Sequence, residues 1–292
     1  MNEQRRTDSD PEPSRSIAVA LGGGGARGLA HILVVEAMDE LGLRPARIAG
    51  TSIGAVVGAV WAAGMTGREM RAFVTATLRN RGEIFSRLMR ARVGRFADLF
   101  SGRFANQVLL DPETVLDLFW PTQVPDRFED LAIAFEAVAT DYYGRCATIF
   151  DSGPLVTAVA ASIAIPGLFR PVEADGRALI DGGIVNPLPY PQLFAPGAFV
   201  IACDVTGGPA PGRRGTPQPF EALFGASQIM QATITAHMLA ARAPDLLIRP
   251  PVERFRVLDF FQATKILAAA EPVKDLVKRS LDVAFAARRS GS

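Results

Sequence analysis

In Gly50-Thr51-Ser52-Ile53-Gly54 one serine sits between two glycines, where the short apolar run Arg47-Ile48-Ala49 gives way to the apolar stretch Ala55 to Gly64. Strand, tight turn and buried helix in that order make a nucleophile elbow. The turn forces strained backbone angles on the serine, and glycines at both sides remove the Cβ atoms that would clash with strand and helix. The Ser52 hydroxyl is then pushed out at the sheet edge, near the positive end of the following helix. With 27 glycines in the chain the pentapeptide alone is an easy coincidence. A serine nucleophile also needs a base for its proton and donors for the oxyanion.

Only two histidines are present, His31 and His237. His31 opens the helix after a glycine loop and reads as a packing or capping residue there. His237 would complete the order serine, aspartate, histidine, but it falls within Ile234 to Leu239 on an apolar helical stripe. Asp181 is the stronger base. It ends the apolar run Ala178-Leu179-Ile180 and is followed by Gly182 and Gly183, which let backbone or ligand approach closely. An aspartate of ordinary pKa, about 3.9, is a weak base for serine, so burial or hydrogen bonding must hold it ready. The competing reading is a plain turn, since Asp-Gly is a frequent turn pair.

The oxyanion donors are sought in Gly22-Gly23-Gly24-Gly25-Ala26-Arg27-Gly28, between the run Ser16 to Leu21 and a helical pattern from Leu29 to Leu41. Gly23, Gly25 and Gly28 spell a dinucleotide fingerprint, but the second strand ends in Ala49-Gly50-Thr51-Ser52 with no acidic residue for a ribose. A phosphate-cradling loop fails too, because Gly28 is followed by Leu29-Ala30 rather than Lys and Ser or Thr. Consecutive glycines at a helix N-terminus do supply unobstructed N–H groups, so Gly23, Gly24 and Gly25 are the candidate oxyanion hole. Arg27 either steadies the loop or attracts an anionic headgroup, or it is a surface ion pair. No metal or cofactor is required.

These residues need a parallel sheet to position them. The first strand, glycine loop, helix and second strand form a β-α-β unit, with Gly42 and Pro45 ending the helix. The elbow then lies at the carboxyl end of the second strand, where open α/β sheets place their sites. Further strands are expected at 131–139, 145–150, 178–180, 198–205 and 245–248. Helices are expected at 68–79, from Asp111-Pro112, at 152–164, at 220–242 and at 260–287. Residues 1–16 are polar and read as a disordered tail with no apolar signal segment. Residues 48–67 carry no charge over a membrane-spanning length, but their glycines argue for strand, turn and buried helix. Between 79 and 103, seven arginines alternate with Ile84, Phe85, Leu88, Met89 and other apolar residues. That stretch is either a solvated basic face or a cover touching a membrane, and 79–124 forms a helical lid region in the second case. A net charge of +1 gives no nucleic-acid footprint. Two cysteines with no C-x-x-C pair fit a reducing, cytoplasmic compartment.

The glycine loop, the Ser52 pentapeptide, Ala161-Ser162-Ile163-Ala164-Ile165-Pro166-Gly167, Asp181-Gly182-Gly183 and Asn186-Pro187-Leu188-Pro189, in that order, resemble the patatin-like phospholipase family from about Ile17 to Val205. The resemblance implies a three-layer α/β fold with a mainly parallel central sheet flanked by helices, as one domain over 17–292. It also implies a serine acyl hydrolase with a Ser52–Asp181 dyad and no histidine. Lipid or other acyl esters would be the substrates, with peripheral membrane contact. Arg27, Gly28, Gly50, Gly54, Gly182 and Gly183 would support the motifs. A soluble short-chain carboxylesterase and a non-catalytic regulatory scaffold on the same fold stand as alternatives.

Overall fold

A computed structural model describes residues 16–79, 82, 110–117, 119–208 and 215–286. Residues 1–15 of the expected tail, most of the arginine-rich stretch with its lid reading, and residues 209–214 lie outside these residues, and Ser16, expected in the tail, begins the first strand. The strands are β1 (Ser16–Leu21), β2 (Arg47–Thr51), β3 (Ala134–Asp141), β4 (Cys146–Phe150), β5 (Val172–Ala174), β6 (Arg177–Asp181), β7 (Ala198–Cys203) and β8 (Leu246–Ile248). The longer helices are α1 (His31–Glu40), α2 (Ile53–Ala62), α3 (Gly67–Thr77), α4 (Pro112–Asp117), α5 (Leu155–Ser162), α6 (Pro219–Ala241), α7 (Ala263–Ala270) and α8 (Pro272–Ala286).

One sheet runs β5-β6-β3-β2-β1-β7-β8, with β4 added beside β3. Five strands, from β3 through β2, β1 and β7 to β8, are parallel. Their apolar residues alternate between the two faces, as the period of a strand requires. Ile17, Val19, Leu21, Ile48, Phe199 and Ile201 enter the larger core, where α1 and α2 contribute Leu33, Val34, Ala59 and Trp61. The opposite face carries Ala18, Ala20, Ala49, Val200 and Ala202 under Leu188, Tyr190 and Leu193, with Met238 and Leu239 of α6 packed against them. Both faces are therefore covered, which is why the strands read as continuous apolar runs.

The register around β3 brings two distant parts of the sequence together. β4 pairs with residues 137–141 of β3, β2 with 134–138 and β6 with 139–141. A strand has only two edges, so β2 and β6 must share the one opposite β4. Thr51 is opposite Val138 and Asp181 is opposite Ala139. The carboxyl ends of a parallel and an antiparallel strand thus meet head to head, and the residue leaving one faces the last residue of the other.

The expected stretch 48–67 is β2, the elbow and α2, and among the described residues no helix is long and apolar enough to cross a membrane. At the start of α4, Asp111 accepts from the Thr114 N–H at 2.9 Å, the cap expected before Pro112. The single helix expected over 260–287 is two, because Pro272 cannot continue α7 and instead takes the first position of α8.

Candidate active site

Ser52 joins β2 to α2 with φ 55° and ψ −123°, angles that cost a non-glycine residue about 1–3 kcal/mol and persist only where the surroundings impose them. Close packing imposes them here. A Cβ at Gly50 would run into the Gly54 carbonyl, and one at Gly54 into the Leu21 carbonyl of the neighbouring strand. Gly28 leaves room for Ile53. Although Ser52 is the N-cap residue of α2, its hydroxyl makes no capping bond. It donates instead to Asp181 Oδ2 at 2.6 Å. A serine that forgoes a cap worth about 1 kcal/mol is serving another purpose.

Asp181 is 4% exposed, and its second oxygen accepts from the Gly183 N–H at 2.7 Å. Burial dominates over these two hydrogen bonds and pushes the carboxyl pKa up to about 6. Gly182 is needed where β6 crosses the end of β2, since a Cβ there would meet the Val138 carbonyl. The following segment braces the rest of the site. The Thr51 hydroxyl donates to the Asn186 carbonyl at 2.8 Å, and the Gly23 N–H donates to the Pro187 carbonyl at 2.9 Å.

That last bond narrows the expected set of oxyanion donors. Gly23 has spent its N–H on Pro187, whereas those of Gly24 and Gly25 have no acceptor among the described residues. Gly25 adopts φ 58°, which a glycine reaches at no steric cost. Arg27 is not a surface ion pair. It is 2% exposed, it lines the pocket over Ser52, and its Nε donates to the Gly24 carbonyl at 3.3 Å, which steadies the loop.

Neither histidine reaches the dyad. His31 is fully buried, and its Nε2 donates to the Gly22 carbonyl at 2.9 Å. Burial lowers its pKa to about 4, which keeps it neutral. His237 lies exposed on α6 rather than on a buried stripe, and it is absent from the lining of the Ser52 pocket.

Two features were not found from the sequence. Ser162, at the end of α5, accepts from the Ser52 N–H at 2.8 Å and donates to the Val138 carbonyl at 2.6 Å, pinning the strained turn. Ser162→Ala leaves that N–H buried without a partner. It should cost about 1–3 kcal/mol in a urea melt and lower kcat more than it raises KM. The second feature is the place of α6, the helix expected at 220–242, whose Phe224, Ser227, Gln228 and Gln231 wall a pocket of about 40 Å³ over Ser52 and Asp181. Its signal in the sequence is a helix with one acidic residue, Glu221, and no Lys or Arg over 219–241.

A serine on a strained strand-to-helix turn, bonded to a buried aspartate at the carboxyl edge of an α/β sheet, is the arrangement that a serine–aspartate hydrolase dyad requires. The model of the family described as patatin-like phospholipase matches residues 19–194, and the chain belongs to that family. An uncharacterized NTE family protein of Mycobacterium tuberculosis is 39% identical over 207 residues, covering 70% of this chain and 53% of that protein. The neuropathy target esterase sws of Drosophila melanogaster is 35% identical over 200 residues, covering 65% of this chain and 13% of that protein. The chain thus spans about half the length of the mycobacterial relative. VipD from Legionella pneumophila shares the fold with a TM-score of 0.50 at 15% identity, covering 92% of this chain and 67% of that one.

Proposed function

We propose that the chain is a serine acyl hydrolase of lipid esters in which Ser52 is the nucleophile and Asp181 the proton acceptor. The observation that carries this is the 2.6 Å bond from the Ser52 hydroxyl to Asp181 on a backbone held at φ 55°. Ser52 Oγ attacks the ester carbonyl carbon while its proton passes to Asp181 Oδ2. The Gly24 and Gly25 amides and the N-terminus of α2 face the resulting oxyanion. Each such donor is worth about 2.7–4 kcal/mol in transition-state stabilisation. The intermediate collapses as Asp181 returns the proton to the leaving alcohol. Water then attacks the acyl-enzyme, gives its proton to Asp181, and the acid leaves as Ser52 recovers its hydrogen.

Lipid esters are supported by membership of the patatin-like phospholipase family, and ester hydrolysis by the likeness to a neuropathy target esterase. They are also supported by α6, where Leu223, Ile229 and Met230 stand 54%, 55% and 56% exposed beside the pocket. These side chains suit peripheral contact between a cytoplasmic protein and a lipid surface. The small volume over Ser52 favours the second reading, a short-chain esterase. Purified protein offered phosphatidylcholine vesicles and an aryl butanoate separates the two: fatty acid released from vesicles supports the lipid reading, and aryl ester turnover with inert vesicles supports the other.

A pH profile follows from the raised carboxyl. The active form is the carboxylate, so kcat/KM should fall about tenfold per unit below pH 6 and be level above it. A midpoint near the ordinary carboxylate value would mean the base is not the buried Asp181.

A further inference from the structure

The pocket over Ser52, about 40 Å³, holds a carbonyl and a few water-sized groups at most. An acyl ester reacting there must extend beyond it. Beside it lies an open groove of about 940 Å³, within the range of ligand sites, between α6 and the segments around Gly207 and Glu253. Gln228 lines both, so the two cavities are neighbours on either side of this residue.

The groove wall on α6 is Gln228, Ile229, Ala232, Thr233, Ala236 and His237, and Ile229, Ala232, Thr233 and Ala236 are spaced so that they share one helical face. From 229 to 236 the helix rises about 10 Å. Small side chains at 232 and 236 leave a trough along that length, and Gly207 and Gly208 form the floor opposite without adding side chains. The charged residues lining it, Glu253 and Arg254, come from the other segment. Gln228, Thr233 and His237 are the polar side chains on the helix side, and between them Ile229, Ala232 and Ala236 offer a carbon surface against which a saturated chain can lie.

We infer that this groove receives the acyl chain of the substrate, with Gln228 at the junction between chain and reacting carbonyl, so that esters of medium and long acyl chains are selected over short ones. The inference rests on the acyl-hydrolase reading for its substrate, but not for its geometry.

Each methylene fully buried is worth about fourfold in affinity. For partial burial in an open groove, wild-type kcat/KM for an aryl octanoate should exceed that for the butanoate at least tenfold. Ala232→Trp or Ala236→Trp fills the trough at an exposed position and should bring that ratio close to one, with Tyr143→Ser, on a remote exposed turn, keeping the wild-type ratio. A binding arm makes the test independent of turnover: decanoate and butanoate are titrated calorimetrically into Ser52→Ala, with and without Ala232→Trp. Decanoate binding that weakens at least tenfold with Ala232→Trp supports the groove. If that holds while wild type cleaves no ester, the hydrolase reading falls and the groove stands. Unchanged ratios and unchanged decanoate binding in folded Ala232→Trp and Ala236→Trp overturn it. So do absent decanoate binding, or butanoate binding as tightly as decanoate, which would mark Arg254 rather than the trough as the binding element.

Discussion

Asp181→Asn is expected to lower kcat/KM for every ester by about three to four orders of magnitude and, at pH 8, to make the fold more stable. The activity loss follows from removing the group that receives the Ser52 proton, because asparagine keeps the shape and the Gly183 contact but not the basicity. General-base contributions are typically 10²–10⁴-fold, and no histidine stands near enough to substitute. The stability gain follows from the carboxyl pKa of about 6 against an unfolded value near 3.8. Between those values the native state keeps a proton that the unfolded chain has lost. Asp181 therefore favours the fold below about pH 4, and that advantage is lost as pH rises through 6. Above pH 6 the buried carboxylate costs on the order of 3 kcal/mol. Thermal melts at pH 4 and pH 8 check this: the variant should gain at pH 8 and show no gain at pH 4. A lower melting temperature for Asp181→Asn at pH 8 would mean that its partners hold the carboxylate more strongly than burial opposes it.

Gly54→Ala should cost more than 4 kcal/mol, enough to unfold most of the protein, since whole domains are stable by about 5–15 kcal/mol. The added Cβ would overlap the Leu21 carbonyl and lie 2.8 Å from the Gly22 carbonyl oxygen. Both obstacles are backbone in the central strand and the glycine loop, so neither can rotate away. The same methyl at Gly64 meets nothing, and its φ of 99° alone makes Gly64→Ala cost about 1–2 kcal/mol. Urea melts of the pair read the difference directly. Near-equal stabilities would show that α2 does not sit as close to β1 as the elbow requires.

Much of this site was legible because it is local. The apolar run before Gly50, the glycines at 50 and 54 and the glycine loop each declare strand, turn and helix within a few residues, and Asp181-Gly182-Gly183 declares a strand end. The meeting of β6 with β2 was not legible, because bringing Ser52 to Asp181, 129 residues apart, depends on two distant strands sharing one edge of β3. β5 has three residues, too few to show a strand period. Ser162 reads as a small polar residue at the end of a mostly apolar helix, and only the packed site shows that its hydroxyl holds the Ser52 N–H. Gly23 could not be told from Gly24 and Gly25, since a loop of glycines does not reveal which amide a distant carbonyl will take. Arg27 was open between surface and interior for a related reason. Its burial depends on Gly207, where any side chain would collide with the guanidinium.

The most direct test of the dyad is labelling with a fluorophosphonate, which reacts with activated serine hydroxyls, followed by mass spectrometry to find the modified residue. Wild type should carry one adduct on Ser52, Ser52→Ala none, and Asp181→Asn should react at least a hundredfold more slowly while His237→Ala retains the Ser52 adduct. Absence of an adduct on Ser52 in folded wild type, or equal labelling of wild type and Ser52→Ala, would contradict Ser52 as the nucleophile.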